Sequence, residues 1–266
     1  MSASERSTLP PARLPPTAIF SDAFVIARRN VLFIIRTPQL LVFSTIQPVM
    51  FVLLFRYVFG GAISVPASSY ASYLLPGVFV QTVVFGSTTA AVALASDLKS
   101  GIIDRFRSLP MARSAVLAGR TAADAVRNVF VISLMVAVGY AVDFRFEGGL
   151  LSALGAMGIA LLFGYAFSWF FALVGMLVRD PQTAQVAGFV PLFPSVFASS
   201  VFVSPASMPS WLRAFAEHQP VTKVANAVRG LSLGTATTSD VVVALLWIGG
   251  MLLVFAPLAT WRYRKG

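Results

Sequence analysis

One histidine, His218, and no cysteine leave few ways to build a reactive centre. A metal held by two imidazoles is ruled out, as are disulfides, iron–sulfur clusters and thiol nucleophiles. None of the spacings H-E-x-x-H, G-x-S-x-G or G-x-x-x-x-G-K-[ST] occurs. The sequence therefore offers no zinc-protease helix, no nucleophile elbow and no P-loop to cradle the phosphates of ATP. His218 stands beside Glu217, where it could make a local hydrogen bond or serve as a pH sensor. The chain is expected to hold no catalytic residue, no metal and no cofactor of its own.

The polar residues left for chemistry are few. Gln47, Gln81, Ser195 and Ser199 fall within long apolar runs. Such groups line a substrate path at a subunit interface, or they hydrogen-bond one helix to the next. Deep Asp, Glu or Lys residues, which ion-coupled carriers place near the midplane, are almost missing. An energy source for transport would then lie outside the chain.

The segments that position these residues are apolar throughout. Of 266 residues 57% are hydrophobic and only 11% charged, with a mean hydropathy of +0.81. A soluble domain is nearer a quarter charged, so the excess must face lipid. Apolar runs of about 20 residues mark six spans, near 39–59, 73–95, 125–142, 150–178, 183–203 and 241–261. Pro191 and Pro194 should kink the fifth. The net charge of +10 would suggest nucleic acid on a soluble protein. On a membrane protein it is better explained by loops held inside. With the N-terminus in the cytoplasm, fifteen Lys and Arg residues lie inside and five outside. Tyr57, Tyr73 and Tyr140 then mark the outer edge, and Trp261 and Tyr263 the inner one. The expected fold is an all-α membrane protein with six transmembrane helices and both termini cytoplasmic. Residues 1–16, rich in Ser, Pro and Thr, read as a disordered tail and not as a signal peptide. Residues 17–266 read as one six-helix transmembrane domain.

Three segments outside the spans carry pattern. Over residues 17–37, Phe20, Phe24, Ala27, Val31, Ile34 and Ile35 share a helical face opposite Asp22, Arg29 and Arg36, with Arg28 adjoining. That describes an amphipathic helix in the membrane interface, or else an extension of the first span. Over residues 96–124, Ile102, Ile103, Phe106 and Leu109 form an apolar stripe flanked by Lys99, Arg105 and Arg107 and stopped by Pro110. The stripe could dock in a partner's groove or lie on the inner leaflet. Ser114 suits the N-cap of the next helix, in which Arg120, Asp124 and Arg127 share a face and can pair. Over residues 204–240, Trp211, Leu212 and Phe215 and the semi-apolar run 221–233 suggest two short helices dipping into the outer interface, or a surface loop.

These stretches resemble the membrane subunit of type-2 ABC exporters, a group that includes the daunorubicin-resistance permeases. The likeness is carried by Arg36-Thr37-Pro38 through Gln47-Pro48 to Phe59-Gly60-Gly61, and by Tyr73-Leu74-Leu75-Pro76-Gly77. The run from Gly101 to Pro110 with Gly119-Arg120 is more specific. So are Met208-Pro209-Ser210-Trp211-Leu212, His218-Gln219-Pro220-Val221 and Ala227-Val228-Arg229-Gly230-Leu231. The resemblance implies a permease in a bacterial cell membrane, with a second copy or related permease beside it. ATP and Mg would be bound by a separate ATP-binding subunit, coupled through the segment Lys99–Pro110. It implies export of an apolar or amphipathic substrate such as a drug, lipid or glycolipid. A secondary carrier or channel without an ATPase is the alternative.

Overall fold

A computed structural model describes residues 28, 32, 36, 38–59, 70–101 and 113–265, and every regular element among them is a helix. Helix α1 is Pro38–Leu54 and runs into a π-helical turn, Phe55–Phe59. Four long helices follow or close the chain: α2 (Tyr70–Lys99), α3 (Arg113–Ala141), α4 (Gly149–Val178) and α8 (Thr238–Lys265). Between the last two lie α5 (Pro181–Phe197), a 3-10 turn (Pro205–Ser207), α6 (Ser210–His218) and α7 (Pro220–Leu233).

Four stretches are long and apolar enough to cross a bilayer: Tyr70–Lys99, Leu117–Ala141, Gly149–Val178 and Thr238–Tyr263. A 30-residue helix is ~45 Å long, more than the ~30 Å hydrocarbon core, so α2 and α4 must tilt or project. Helix α4 contains no charged residue. Helix α8 exposes Leu245, Leu246, Leu253, Val254 and Leu258, a face that water would penalise and lipid would not.

Helix α2 is the centre of the bundle. Fifteen consecutive residues, Tyr70 through Val84, are buried, so neighbours cover it on every side. Helices α2 and α4 run parallel, with the Ser87 hydroxyl donating to Gly164 O at 2.8 Å. Farther along, Gly175 meets the Ala91 carbonyl so closely that a Cβ would collide with it. In lipid, helices gain little from apolar contact alone, and small residues that let backbones approach supply the packing. Helix α3 is antiparallel to α2, with Leu75 against Gly139 at one end and Arg120 paired with Asp97 at the other. Helix α5 is antiparallel as well, its start at Lys99 and its end at Tyr70.

The turn between α4 and α5 is two residues long. Arg179 takes the left-handed conformation at φ 62° and closes α4 on Gly175 O. Asp180 then caps α5 by accepting from Thr183 N at 3.0 Å, and Pro181 follows as its first residue. This pairs a left-handed C-cap with an acidic N-cap and a proline at N1. Lys99 at the end of α2 bonds Asp180 at 2.8 Å. That hydrogen bond, with those from Thr183, holds the Asp180 carboxyl down to about 2.

Several sequence expectations change. The third helix begins at Arg113 and its apolar stretch at Leu117, not at Ala125, and Leu117 packs into a second apolar cluster with Leu94, Trp169, Met176 and Tyr263. Ser114 is therefore inside the helix and does not cap it. Lys99 belongs to α2 and does not open a separate helix. The fifth helix stops at Phe197, short of the expected residue 203, with both prolines inside it. Tyr73 and Tyr263 are buried instead of edging the bilayer, whereas Tyr57 and Tyr140 are exposed. Helices α6 and α7 exist as expected, but α7 is no surface element. Val221, Val224, Ala225, Ala227 and Val228 are all buried against the long helices.

Candidate functional site

A cavity of about 200 Å³ opens between α1, α2, α3 and α5. Pro48, Phe85, Val131 and Phe189 give it apolar walls, and Gln47, exposed, stands on its α1 side. The hydroxyls of Thr82, Thr88 and Thr89 on α2 donate to carbonyls of their own helix at 2.7, 2.7 and 2.8 Å. Two buried amides each leave one atom unpaired. Gln81 Oε1 and Asn128 Nδ2 have no hydrogen-bond partner among the described residues, though both side chains are almost fully buried.

Arg127 completes the wall. Its Nη1 donates to Thr89 Oγ1 at 2.7 Å and its Nη2 to Gly86 O at 2.5 Å. Asp124, one turn earlier on α3, lies 3.9 Å away and balances the charge from behind. Gly86 makes this possible. A Cβ there would lie 2.7 Å from Asn128 Oδ1 and 3.1 Å from Arg127 Nη2. The face expected to unite Arg120, Asp124 and Arg127 is thus divided. Arg120 turns to Asp97 on α2, and only Asp124 and Arg127 pair. The pocket has hydrogen-bonding groups and one cation but no nucleophile set beside a base, so its chemistry is recognition.

A second polar knot ties α7 to α2 at the Tyr70 end. Arg229 donates from Nε to Tyr73 O at 2.9 Å, from Nη1 to Asn226 Oδ1 at 2.8 Å and from Nη2 to Ser200 O at 2.6 Å. Its guanidinium stacks over the Tyr73 ring at 3.7 Å, and the Tyr73 hydroxyl donates to Ser200 O at 3.1 Å. Gln219 Nε2 donates to Ser195 O and Ala198 O, both at 2.7 Å, and so caps the end of α5. Gly77 lets Val201 lie directly on α2.

The sequence profile of the ABC-2 type transporter family matches residues 22–233. A daunorubicin resistance ABC transporter permease from Streptomyces coeruleorubidus is 37% identical over 228 residues, covering 86% of this chain and 81% of that protein. The chain belongs to the ABC-2 type transporter family. Two permeases from Mycobacterium tuberculosis are also similar. A probable doxorubicin resistance ABC transporter permease is 27% identical over 84% of this chain and 80% of its own length. A doxorubicin resistance ABC transporter permease is 30% identical over 77% and 68% respectively. The chain is a multi-pass membrane permease subunit of an ABC exporter.

In this permease, three stretches that carried the resemblance meet in one knot. Tyr73 and Gly77 come from the first, Gln219 from the second and Arg229 from the third. The residues expected on a substrate path divide into two groups. Gln47 and Gln81 line the same cavity. Ser195 and Ser199 do not line it and instead donate to Pro191 O and Val196 O near the end of α5. His218 makes a local contact, its Nδ1 lying 2.9 Å from Ala214 O, while Glu217 pairs with Arg213 at 2.6 Å. That partner holds the Glu217 carboxyl below its ordinary value. Arg28 and Arg36 are helical and exposed. Phe20, Phe24, Arg29 and Val31, and the coupling stripe Ile102, Ile103, Arg105, Phe106, Arg107 and Leu109, lie outside the described residues.

Sequence reasoning missed Asn128, the pocket role of Arg127, and the knot around Arg229. Asn128 could have been flagged as an amide inside the expected third span, as Gln81 was inside the second. Arg127 was expected to pair with Arg120 and Asp124 at the membrane edge, and nothing in the sequence placed it beside Gly86 and Thr89. Nothing in the sequence pairs Arg229 with Tyr73, 156 residues away.

Proposed function

We propose that this permease works with a separate subunit that binds ATP and Mg, and that it exports an apolar or amphipathic substrate across a bacterial cell membrane. The observation that supports this most is the family match over residues 22–233 in a chain with no P-loop. Helices α1 and α5 join the four long ones as shorter spans, giving six, and residues 17–266 form one domain behind a tail at 1–16. The Lys99 end of the bundle, with both termini, faces the cytoplasm, as the fifteen basic residues of those segments favour. A second copy or a related permease sits beside the chain. The apolar stripe Ile102, Ile103, Phe106 and Leu109 docks on the ATP-binding subunit, with Lys99, Arg105 and Arg107 at its rim. The helix carrying Phe20, Phe24, Arg28, Arg29, Val31 and Arg36 lies in the inner interface. Gln47 and Gln81 belong to the substrate path, with Ser195 and Ser199 nearer its outer end. The names of the similar permeases make doxorubicin a reasonable first probe. Inverted vesicles holding this chain and the ATP-binding subunit should take up doxorubicin with ATP. Uptake unaffected by omitting the ATP-binding subunit would overturn the reading.

A further inference from the structure

Gln47 apart, the polar groups around the cavity between α1, α2, α3 and α5 are spent on the protein. The hydroxyls of Thr82, Thr88 and Thr89 donate to carbonyls of α2. Arg127 is bonded to Thr89 and to the Gly86 carbonyl, it is balanced by Asp124, and Asn128 Oδ1 lies against its guanidinium. The unpaired Gln81 Oε1 and Asn128 Nδ2 are sealed off from the space. What remains to meet an occupant is apolar: Pro48, Phe85, Val131 and Phe189.

The volume is about 200 Å³. A cavity of about 150 Å³ lined by aliphatic and aromatic side chains is enough to hold benzene while staying dry, whereas drug-sized ligands fill about 300–1,000 Å³. One ring fits. An aliphatic chain gains little by entering, because the lipid tails around the bundle are equally apolar. A ring gains contacts that lipid cannot supply. Phe85 and Phe189 already lean on Phe193, with centroids 5.9 and 5.6 Å away, and the row of rings continues through Phe197 to Phe202. Aromatic rings favour such edge-on and offset meetings at about 4.5–7 Å and gain from them beyond the area they bury.

We propose that this cavity holds one uncharged aromatic ring, the apolar end of an amphipathic substrate, against Phe85 and Phe189. The polar remainder of the substrate stays outside, past the exposed Gln47. This rests on the export reading and names which end of the substrate the permease takes in.

The test uses the full chain in phosphatidylcholine nanodiscs, without ATP or the ATP-binding subunit. Two uncharged photoprobes are compared, a trifluoromethyldiazirinyl benzyl alcohol and an aliphatic diazirine alcohol of the same carbon number. Adducts are mapped by mass spectrometry. The aromatic probe should label Phe85, Phe189 and their neighbours about tenfold more than the exposed Leu246 and Leu253 of α8, and excess benzyl alcohol should compete. The aliphatic probe should show no such preference. Phe189→Leu, which keeps the wall apolar, should lower aromatic labelling of the cavity about fivefold, as for one lost ring contact. Thr88→Phe, which puts a ring of the chain's own into the cavity, should abolish it. An equal preference of both probes for the cavity would make it a site for acyl chains and would overturn the proposal on the wild-type chain alone, whatever the variants do. Aromatic adducts no denser in the cavity than on α8 would overturn it as well, as would cavity labelling unchanged by both variants. Because no ATP is involved, failure here leaves the export reading standing, and a failed transport assay leaves this binding result standing.

Discussion

Arg229 carries a full charge into the knot at the Tyr70 end with no carboxylate beside it among the described residues. Two carbonyls, an amide oxygen and an aromatic face stand in for the missing anion. Only a planar fork with several donors can meet all four at once, so lysine is not a conservative replacement. Arg229→Lys should lower stability by about 2–4 kcal/mol, read as a drop in Tm in detergent. Arg213→Lys, in an exposed pair with Glu217, should change it by less than about 1 kcal/mol. A similar Tm for both variants would show that the knot contributes little. At this scale the sequence was partly legible. Gln81 stood out because an amide in an apolar run has few innocent explanations. Arg229 did not, because a basic residue in a short loop segment is ordinary and only the tertiary fold brings Tyr73 beneath it.

Helix boundaries were legible where apolarity alone decides them and blurred where charge is paired. The fourth span was read to within a residue because nothing but lipid and packing acts on Gly149–Val178. The third was started at Ala125, apart from the helix expected after Ser114, because Arg120 and Asp124 are charged; Asp97 and Arg127 absorb those two charges, and one helix runs from Arg113 to Ala141. Contact between α2 and α4 depends on Gly175, so Gly175→Leu should block their approach and cost at least about 1–3 kcal/mol by overpacking. Loss of folded yield should exceed that for Gly250→Leu, where a side chain meets open space. The Lys99–Asp180 bridge that ties two turns gives a pH dependence with a defined sign. Asp180 has its carboxyl lowered to about 2 from 3.8, chiefly by Lys99. Its contribution is present above the ordinary value of 3.8 and is lost as pH falls towards 2. Asp180→Asn, which keeps the capping oxygen, should flatten acid unfolding over that window. An unchanged acid profile would show that the bridge is idle.

At the scale of the molecule, the helices form a bundle whose loops at the Lys99 end are basic and whose Tyr70 end is closed by α6 and α7. Sidedness can be read with single cysteines, since the native chain has none. Ser207→Cys should react with an impermeant maleimide in intact cells, and Ser114→Cys should react only after the membrane is opened. Reaction of Ser114→Cys in intact cells would reverse the orientation. On the proposed reading, energy enters from a partner through the stripe ending at Leu109. Phe106→Ala should therefore reduce recovery of the ATP-binding subunit in a pull-down, as loss of an aromatic anchor worth ~2 kcal/mol would. The decisive measurement is transport in reconstituted vesicles, with the chain alone and with the ATP-binding subunit, using doxorubicin as probe. Uptake should require both proteins and hydrolysable ATP and should stop with a non-hydrolysable analogue. Uptake by the chain alone, driven by an ion gradient without ATP, would contradict the assignment and make the protein a secondary carrier.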